Sequence, residues 1–366
     1  MKMRIAFFVA GCYTMPPPKG VIFPPMQVLN DLIDGLVRKG HDITLFAPKG
    51  SKAKCRIINN GLNPIFKTNN PLDASLLSQP DVREKEKEII CGLWDQYLLS
   101  LLYKGERKGK FDIINIHLAH RALPFASLST TPIVYTLHDP LYSWMIKVFR
   151  LFQSKNQYFI SLSDAQRKPV PDLNWVDTIY NGIDLKKFPY SQGPKNQLLF
   201  LGRILPRKGP DIAIQVAKMA NEKLVIVGDP KRGEFWKKRI KPFLDAKITF
   251  QNWVASDQTY KYYRDAKAIL VPIQWEEPFG LVMIEAMACG TPVIAFRRGS
   301  VPEVVIDGKT GFIVDTVEEM VAVIKKIEKI DRKECRKLVE EKFSVKRMVD
   351  DYEKTYYKLI SENKNA

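Results

Sequence analysis

Residues 197–210 read QLLFLGRILPRKGP. Gln197 to Leu201 is a short β-rich apolar run, and Gly202 ends it. Arg203, Arg207 and Lys208 follow in a basic loop. Pro210 suits the first position of a helix, where its missing N–H would have no partner anyway. A continuous apolar run that passes through such a loop into a helix is the unit of a parallel sheet covered on both faces. The unit repeats downstream: KLVIVGD (223–229), KITFQNW (247–253), AILVPI (268–273) and TPVIAF (291–296) are strand-like. Helical stretches from Pro210, near 233–244, near 257–265 and from Gly280 separate them. It repeats upstream as well, in MRIAFFV (3–9), HDITLFA (41–47), FDIINIH (111–117), PIVYTLH (132–138) and QYFISLS (157–163). Between the first two of these, Leu29, Leu32, Ile33, Leu36 and Val37 recur at helical spacing and Gly40 closes the helix. The rhythm breaks from Tyr180 to Asn196, which holds Gly182, Pro189, Gly193 and Pro194 and few apolar residues. The pattern predicts two doubly wound α/β units, 1–190 and 191–342. A closing amphipathic helix within 343–366 carries Met348, Tyr352, Tyr356 and Leu359 at helical spacing; it is expected to pack on a domain, the N-terminal one first.

Composition agrees. At roughly 150 residues per domain, 366 residues make two domains. With 45% apolar and 27% charged residues, the chain is not collagenous, coiled-coil or disordered. Five scattered cysteines without a C-x-x-C pair and only four histidines argue against a disulfide framework and a zinc cluster, and for a reducing, cytoplasmic setting. The net charge of +17 divides almost evenly, +9 in 1–190 and +8 in 191–366. Such a spread fits anionic small substrates, an acidic membrane surface or nucleic acid, and does not choose among them. No apolar run approaches the ~18 residues that cross a bilayer. The start, MKMRIAFFVAGC, imitates a lipoprotein signal, but its apolar core runs only from Ile5 to Ala10 and reads as a buried first strand.

In open parallel sheets, ligands bind beyond the carboxyl ends of the strands. Arg203 and Lys208 flank the loop after the first strand of the second unit, at a helix start, where two cations would grip a pyrophosphate. After AILVPI comes QWEEPFGLVMIE (274–285). Its helix, expected from Gly280 to Ala288, opens with N–H groups that lack intrahelical partners. Phe279, Gly280, Leu281 and Val282 would aim those groups at phosphate oxygens. Glu277 stands before the helix and Glu285 more than a turn inside it. One carboxylate would hold sugar hydroxyls and the other ribose hydroxyls. Glu285 lies among Met283, Ile284, Ala286 and Met287, where an unpaired charge is costly, so it should have a partner or a task.

GRILPRKG and EEPFGLVMIEAMACGTPVIAFRRGSVPEVVIDGKTGFIV resemble the donor-site motifs of retaining glycosyltransferases of family 4, which have the GT-B fold. The E-x7-E pair is Glu277 and Glu285, and the GTPV and PE-plus-DG-x-x-G segments follow in family order. GHDITLFA, TLHDP, SDAQR and YNGID extend the resemblance into the first half. It implies two Rossmann-like domains facing a central cleft, the N-terminal one on the acceptor side and the C-terminal one holding the nucleotide-sugar. It implies that Arg203 and Lys208 bind the donor diphosphate, Glu285 the ribose and Glu277 the sugar hydroxyls, with the amides of Gly280, Leu281 and Val282 on sugar and phosphate. His138 would contact the transferred sugar near its C6 end and help orient the reaction, and Val254 would lie by the base.

One departure concerns the loop after the first strand. Where the family often has a Gly-Gly pair, Gly11 to Pro25 is rich in proline and leaves only Gly20. No D-x-D triplet occurs, so the usual carboxylate cradle for Mg²⁺ or Mn²⁺ is missing from the sequence, and cationic side chains with a helix terminus are expected in its place. No cofactor is expected. No G-x-G-x-x-G or P-loop motif is present, and no aromatic-basic motif for nucleic acid. The stretch WMIKVFRLF (144–152) fits either a core-facing helix or one lying on an acidic membrane. The resulting expectation is a metal-independent, retaining hexosyltransferase using a UDP- or GDP-linked donor and an acceptor of unknown type. A nucleotide-sugar epimerase and a non-catalytic sugar-nucleotide binder remain as alternatives.

Overall fold

Thirteen strands form among the residues described by the structure, a computed structural model covering 2–18, 23–66, 84–229 and 233–364. The first seven are β1 (Arg4–Phe8), β2 (Asp42–Phe46), β3 (Arg56–Ile58), β4 (Ile113–Ile116), β5 (Ile133–Thr136), β6 (Gln157–Ser161) and β7 (Trp175–Thr178). They pair in parallel in the order β3-β2-β1-β4-β5-β6-β7. The other six are β8 (Leu198–Leu201), β9 (Leu224–Val227), β10 (Ile248–Gln251), β11 (Ala268–Val271), β12 (Val293–Phe296) and β13 (Gly311–Val314). They pair in parallel as β10-β9-β8-β11-β12-β13. Each order reverses direction once, between β1 and β4 and between β8 and β11. These are the switch points at which open sheets take ligands.

Central strands are buried from end to end. β4, β5, β11 and β12 expose no residue, so the sequence shows them as unbroken apolar runs. The edges differ. β3 and β7 have no fully buried residue, and their mixed sequences, RII and WVDT, carry no such run. Edge strands are half solvated and need no apolar face on both sides.

The chain divides into two compact units. Unit 1 is Met1–Leu162, Arg167–Ile179 and Val345–Ala366; unit 2 is Ser163–Gln166 and Tyr180–Ser344. The helix Val345–Lys364 thus belongs with the first sheet. It buries Met348, Val349, Tyr352, Tyr356, Leu359 and Ile360. Tyr356 OH accepts from Asn115 Nδ2 at 2.5 Å, Tyr352 OH and Thr136 Oγ1 share a hydrogen bond of 3.2 Å, and Thr355 Oγ1 donates to Asp177 Oδ2 at 2.8 Å. Buried hydroxyls with partners cost far less than bare ones, so these bonds fix the helix at one position on the sheet.

Two local expectations change. The stretch expected as a helix near 233–244 is a widened π turn, Trp236–Ile240, followed by a 3-10 turn, Lys241–Phe243. Pro242 has no N–H to continue an α-helical ladder. The helix expected from Gly280 runs Leu281–Ala288, with Gly280 as its cap.

Candidate functional site

At the switch point of unit 2, the loops after β8 and β11 are tied together. Gln274 N–H donates to the Arg207 carbonyl at 2.8 Å. Lys208 Nζ donates to Glu277 Oε2 at 2.5 Å, and the Trp275 indole N–H reaches the same oxygen at 2.9 Å. The Trp275 ring also carries the Arg207 guanidinium at 4.6 Å and the Lys208 ammonium at 4.7 Å from its centroid. Cation–π attraction strengthens as the cation is desolvated, and the Lys208 and Glu277 side chains are only 21% and 13% exposed. Lys208 and Glu277, expected on different parts of a ligand, are therefore directly paired. Oε2 of Glu277 is committed to Lys208 and Trp275.

The loop after β12 lies beneath this pair. Ser300 N–H donates to the Glu277 carbonyl at 2.9 Å, Gly299 N–H to Glu276 Oε2 at 2.6 Å, and Ser300 Oγ to the Phe279 carbonyl at 2.7 Å. Gly299 has φ +51°, and a Cβ there would stand 2.3 Å from the Glu277 carbonyl oxygen. Only glycine permits that approach. Gly280, at φ +84°, turns the chain into the helix Leu281–Ala288, whose first bond runs from Met283 N–H to the Gly280 carbonyl at 3.0 Å. The Leu281 and Val282 amides precede it, at the positive end of the helix. Phe279 offers only its backbone: its ring is buried with Tyr180 and Phe343 at 6.1 and 5.8 Å.

Glu285 does have a partner. The buried Tyr263 hydroxyl donates to Glu285 Oε2 at 2.6 Å. Desolvation raises the Glu285 pKa, and the Tyr263 bond opposes that rise. Arg203 is exposed on the loop after β8. Val254, half-buried after β10, lies two strands away in the sheet order. The PE and SDAQR segments meet in this unit: Glu303 accepts from the Asp164 and Ala165 N–H groups, each at 2.8 Å, and from Tyr180 OH at 3.2 Å.

In unit 1, three adjacent strands end in polar groups. Gly11 follows β1, His117 follows β4 and His138 follows β5. Nδ1 of His117 lies 2.8 Å from Nε2 of His138, with the rings stacked at 22° and 5.0 Å between centroids. Burial lowers both rings, His138 to about 4. Gly11 N–H donates to the buried Asp95 Oδ1 at 2.6 Å, and Arg121 Nε stands 3.4 Å from Asp95 Oδ2. Burial pushes the Asp95 carboxyl up to about 6, against the pull of those two groups. Gly20 lies outside the described residues.

His117, Trp275 and Tyr263 stand outside the motifs that mark the site in the sequence. Of these, His117 had a signal: like His138, it closes an apolar run. Among the described residues, no helix is long and apolar enough to cross a membrane.

Two family models match in succession: "Glycosyltransferase Family 4" over residues 27–187 and "Glycosyl transferases group 1" over 184–344. An "uncharacterized 41.2 kDa protein in cps region" of Klebsiella pneumoniae is 25% identical across 82% of this chain and 95% of its own. An "uncharacterized glycosyltransferase" of Methanocaldococcus jannaschii is 33% identical across 51% of this chain and 54% of its own. A D-inositol 3-phosphate glycosyltransferase of Mycolicibacterium smegmatis is 34% identical across 43% and 39%. The match thus spans about half of the second relative and less of the third. Among solved structures, the sucrose-phosphate synthase of Thermosynechococcus elongatus superposes with a TM-score of 0.75 at 18% identity, covering 98% of this chain and 100% of that one. Anabaena HepE in complex with UDP gives 0.69 at 18%, covering 97% and 100%.

Proposed function

We infer that this chain, a glycosyltransferase of the GT-B fold, moves a hexose from a UDP- or GDP-linked donor to an acceptor hydroxyl, with retention at the anomeric carbon and without a metal ion. The observation that carries this reading is the Lys208–Glu277 pair at the foot of the helix Leu281–Ala288, at the switch point of unit 2. Lys208 and Arg203 take the diphosphate, as does the amide end of that helix through Gly280, Leu281 and Val282. Glu277 takes sugar hydroxyls through Oε1 and Glu285 the ribose. His138 touches the transferred sugar, and Val254 lies by the base.

As the bond from the anomeric carbon to the diphosphate oxygen breaks, negative charge grows on that oxygen. Cations and amides already in place stabilise it without reorganising. In the retaining path the acceptor arrives on the face the diphosphate leaves. Its hydroxyl proton passes to the departing phosphate oxygen as the new C–O bond forms. UDP bound in the HepE structure supports a nucleotide-sugar donor; the chemistry of the cations supports the metal-free step.

The acceptor is a sugar, a lipid or another small molecule, and contact with an acidic bilayer belongs to this reading. The helix Ser143–Leu151 leaves Trp144 and Leu151 exposed at 55% and 76%, with Lys147 and Arg150 beside them. Apolar anchors among cations suit an anionic surface. Co-sedimentation with phosphatidylglycerol vesicles but not phosphatidylcholine vesicles is expected, and its loss in W144S/L151S.

A donor screen tests the main reading. Release of UDP or GDP from a panel of UDP- and GDP-hexoses, rising on addition of an acceptor and surviving EDTA, is the expected result. Interconversion of the donor sugar with no transfer would replace it with an epimerase.

A further inference from the structure

His117 and His138 share one hydrogen bond, His117 Nδ1 to His138 Nε2 at 2.8 Å. A neutral imidazole carries one proton, so one of these nitrogens donates and the other accepts. Both rings are held well below the ordinary histidine value by burial, so neither carries a second proton near neutral pH. The direction of the bond then decides everything about His138. If His117 donates, His138 keeps its proton on Nδ1 and offers an N–H. If His138 donates, its Nδ1 offers a lone pair.

The other end of His117 breaks the tie. Its Nε2 is buried and has no hydrogen-bond partner among the described residues, and the residue as a whole is 5% exposed. The ring rests near Phe7, with centroids 6.3 Å apart, and its backbone N–H is spent on the Phe8 carbonyl at 2.9 Å. With the proton on Nε2, His117 would bury a bare N–H. With the proton on Nδ1, it buries a bare lone pair. Orphaned buried N–H groups are the rarer of the two in folded proteins, and leaving a donor unmade is costly.

We propose that His117 is a positioning residue that donates from Nδ1 to His138 and so fixes His138 as its Nδ1–H tautomer, meeting substrate as a hydrogen-bond donor and not as a base. A donor there suits an oxygen acceptor such as a sugar hydroxyl or ring oxygen. The functional half rests on the reading of His138 as a substrate contact; the tautomer does not.

Ring-¹⁵N-labelled histidine makes the test tractable, because the chain has only four histidines. Two-bond ¹H–¹⁵N correlation spectra at pH 7.5 are expected to show His138 protonated on Nδ1 in the wild-type protein. H117N supplies an amide N–H near the place of Nδ1–H and is expected to keep that signature. H117L removes the donor, and His138 is expected to shift toward protonation at Nε2. Wild-type His138 protonated on Nε2, or an H117L spectrum unchanged at His138, overturns the proposal. If H117L fails to fold, as read by circular dichroism, the wild-type and H117N spectra decide alone. Once a donor is in hand, kcat is expected to fall ~10–100-fold in H117L, the scale for partners that orient a working ring, and to stay within ~3-fold in H117N. Spectra as expected with unchanged kcat in H117L would sustain the tautomer and defeat the substrate contact.

Discussion

The carboxyl edges of the two sheets share a topology and differ in electrostatics. In unit 2 the switch point holds opposed charges, Lys208 against Glu277, with Arg207 stacked alongside on Trp275. In unit 1 the corresponding edge gathers titratable groups that burial drives toward neutrality: Asp95 up to about 6, His138 down to about 4, and His117 likewise lowered. The first edge keeps cations at hand for an anion. The second removes charge and leaves neutral hydrogen-bonding groups. One doubly wound plan therefore carries two electrostatic settings, made by the handful of residues just past the strands.

That contrast can be broken at several points. The largest effect should come from the charged edge. Lys208→Ala is expected to lose ~2–4 kcal/mol of transition-state stabilisation, as for a missing oxyanion donor, read as nucleoside diphosphate release at saturating donor. Turnover near wild type would remove the charged edge from the chemistry. In unit 1, Asp95→Asn should act on stability. Because the folded Asp95 holds its proton up to about 6 against an ordinary 3.8, the native state binds more protons between those values. Its contribution therefore weakens as pH rises through that window, by up to about 3 kcal/mol. Urea midpoints at pH 4.5 and 7 should fall less with rising pH in D95N than in the wild type; equal slopes would mean Asp95 is not desolvated as described. Trp275→Phe keeps a ring under the two cations but deletes the N–H on Glu277. A loss of about 1–1.5 kcal/mol in kcat/KM, roughly tenfold, is expected, with Tm nearly unchanged. Tyr356→Phe, which removes the hydroxyl that meets Asn115 of β4, should cost about 1 kcal/mol of unfolding free energy and leave turnover alone. A change in its kcat would show that the helix Val345–Lys364 reaches the chemistry.

Legibility in the sequence followed burial. β1, β4, β5, β11 and β12 read directly because burial on both sides demands unbroken apolar runs. β3 and β7 did not, since edge strands like RII and WVDT have no such demand. Glu277, Lys208 and Gly280 were legible as residue types placed after strands, and Glu285 as a carboxylate inside an apolar helix. Their actual partners were not. Tyr263 lies 22 residues before Glu285 in a short polar helix that gives no hint of a buried hydroxyl. Trp275 reads as one more aromatic beside a charge pair. The Lys208–Glu277 bond joins residues 69 apart, and only the adjacency of β8 and β11 brings them together.

The assignment of Val345–Lys364 to the first sheet has a temporal consequence. During translation these residues leave the ribosome only after the whole of unit 2. Until then Asn115 and Thr136 lack the tyrosine hydroxyls that meet them, and the apolar surface that will receive Met348, Tyr352 and Leu359 stays open. The part synthesised first is thus completed last, and a nascent chain stalled before residue 345 should be the species that chaperones hold longest.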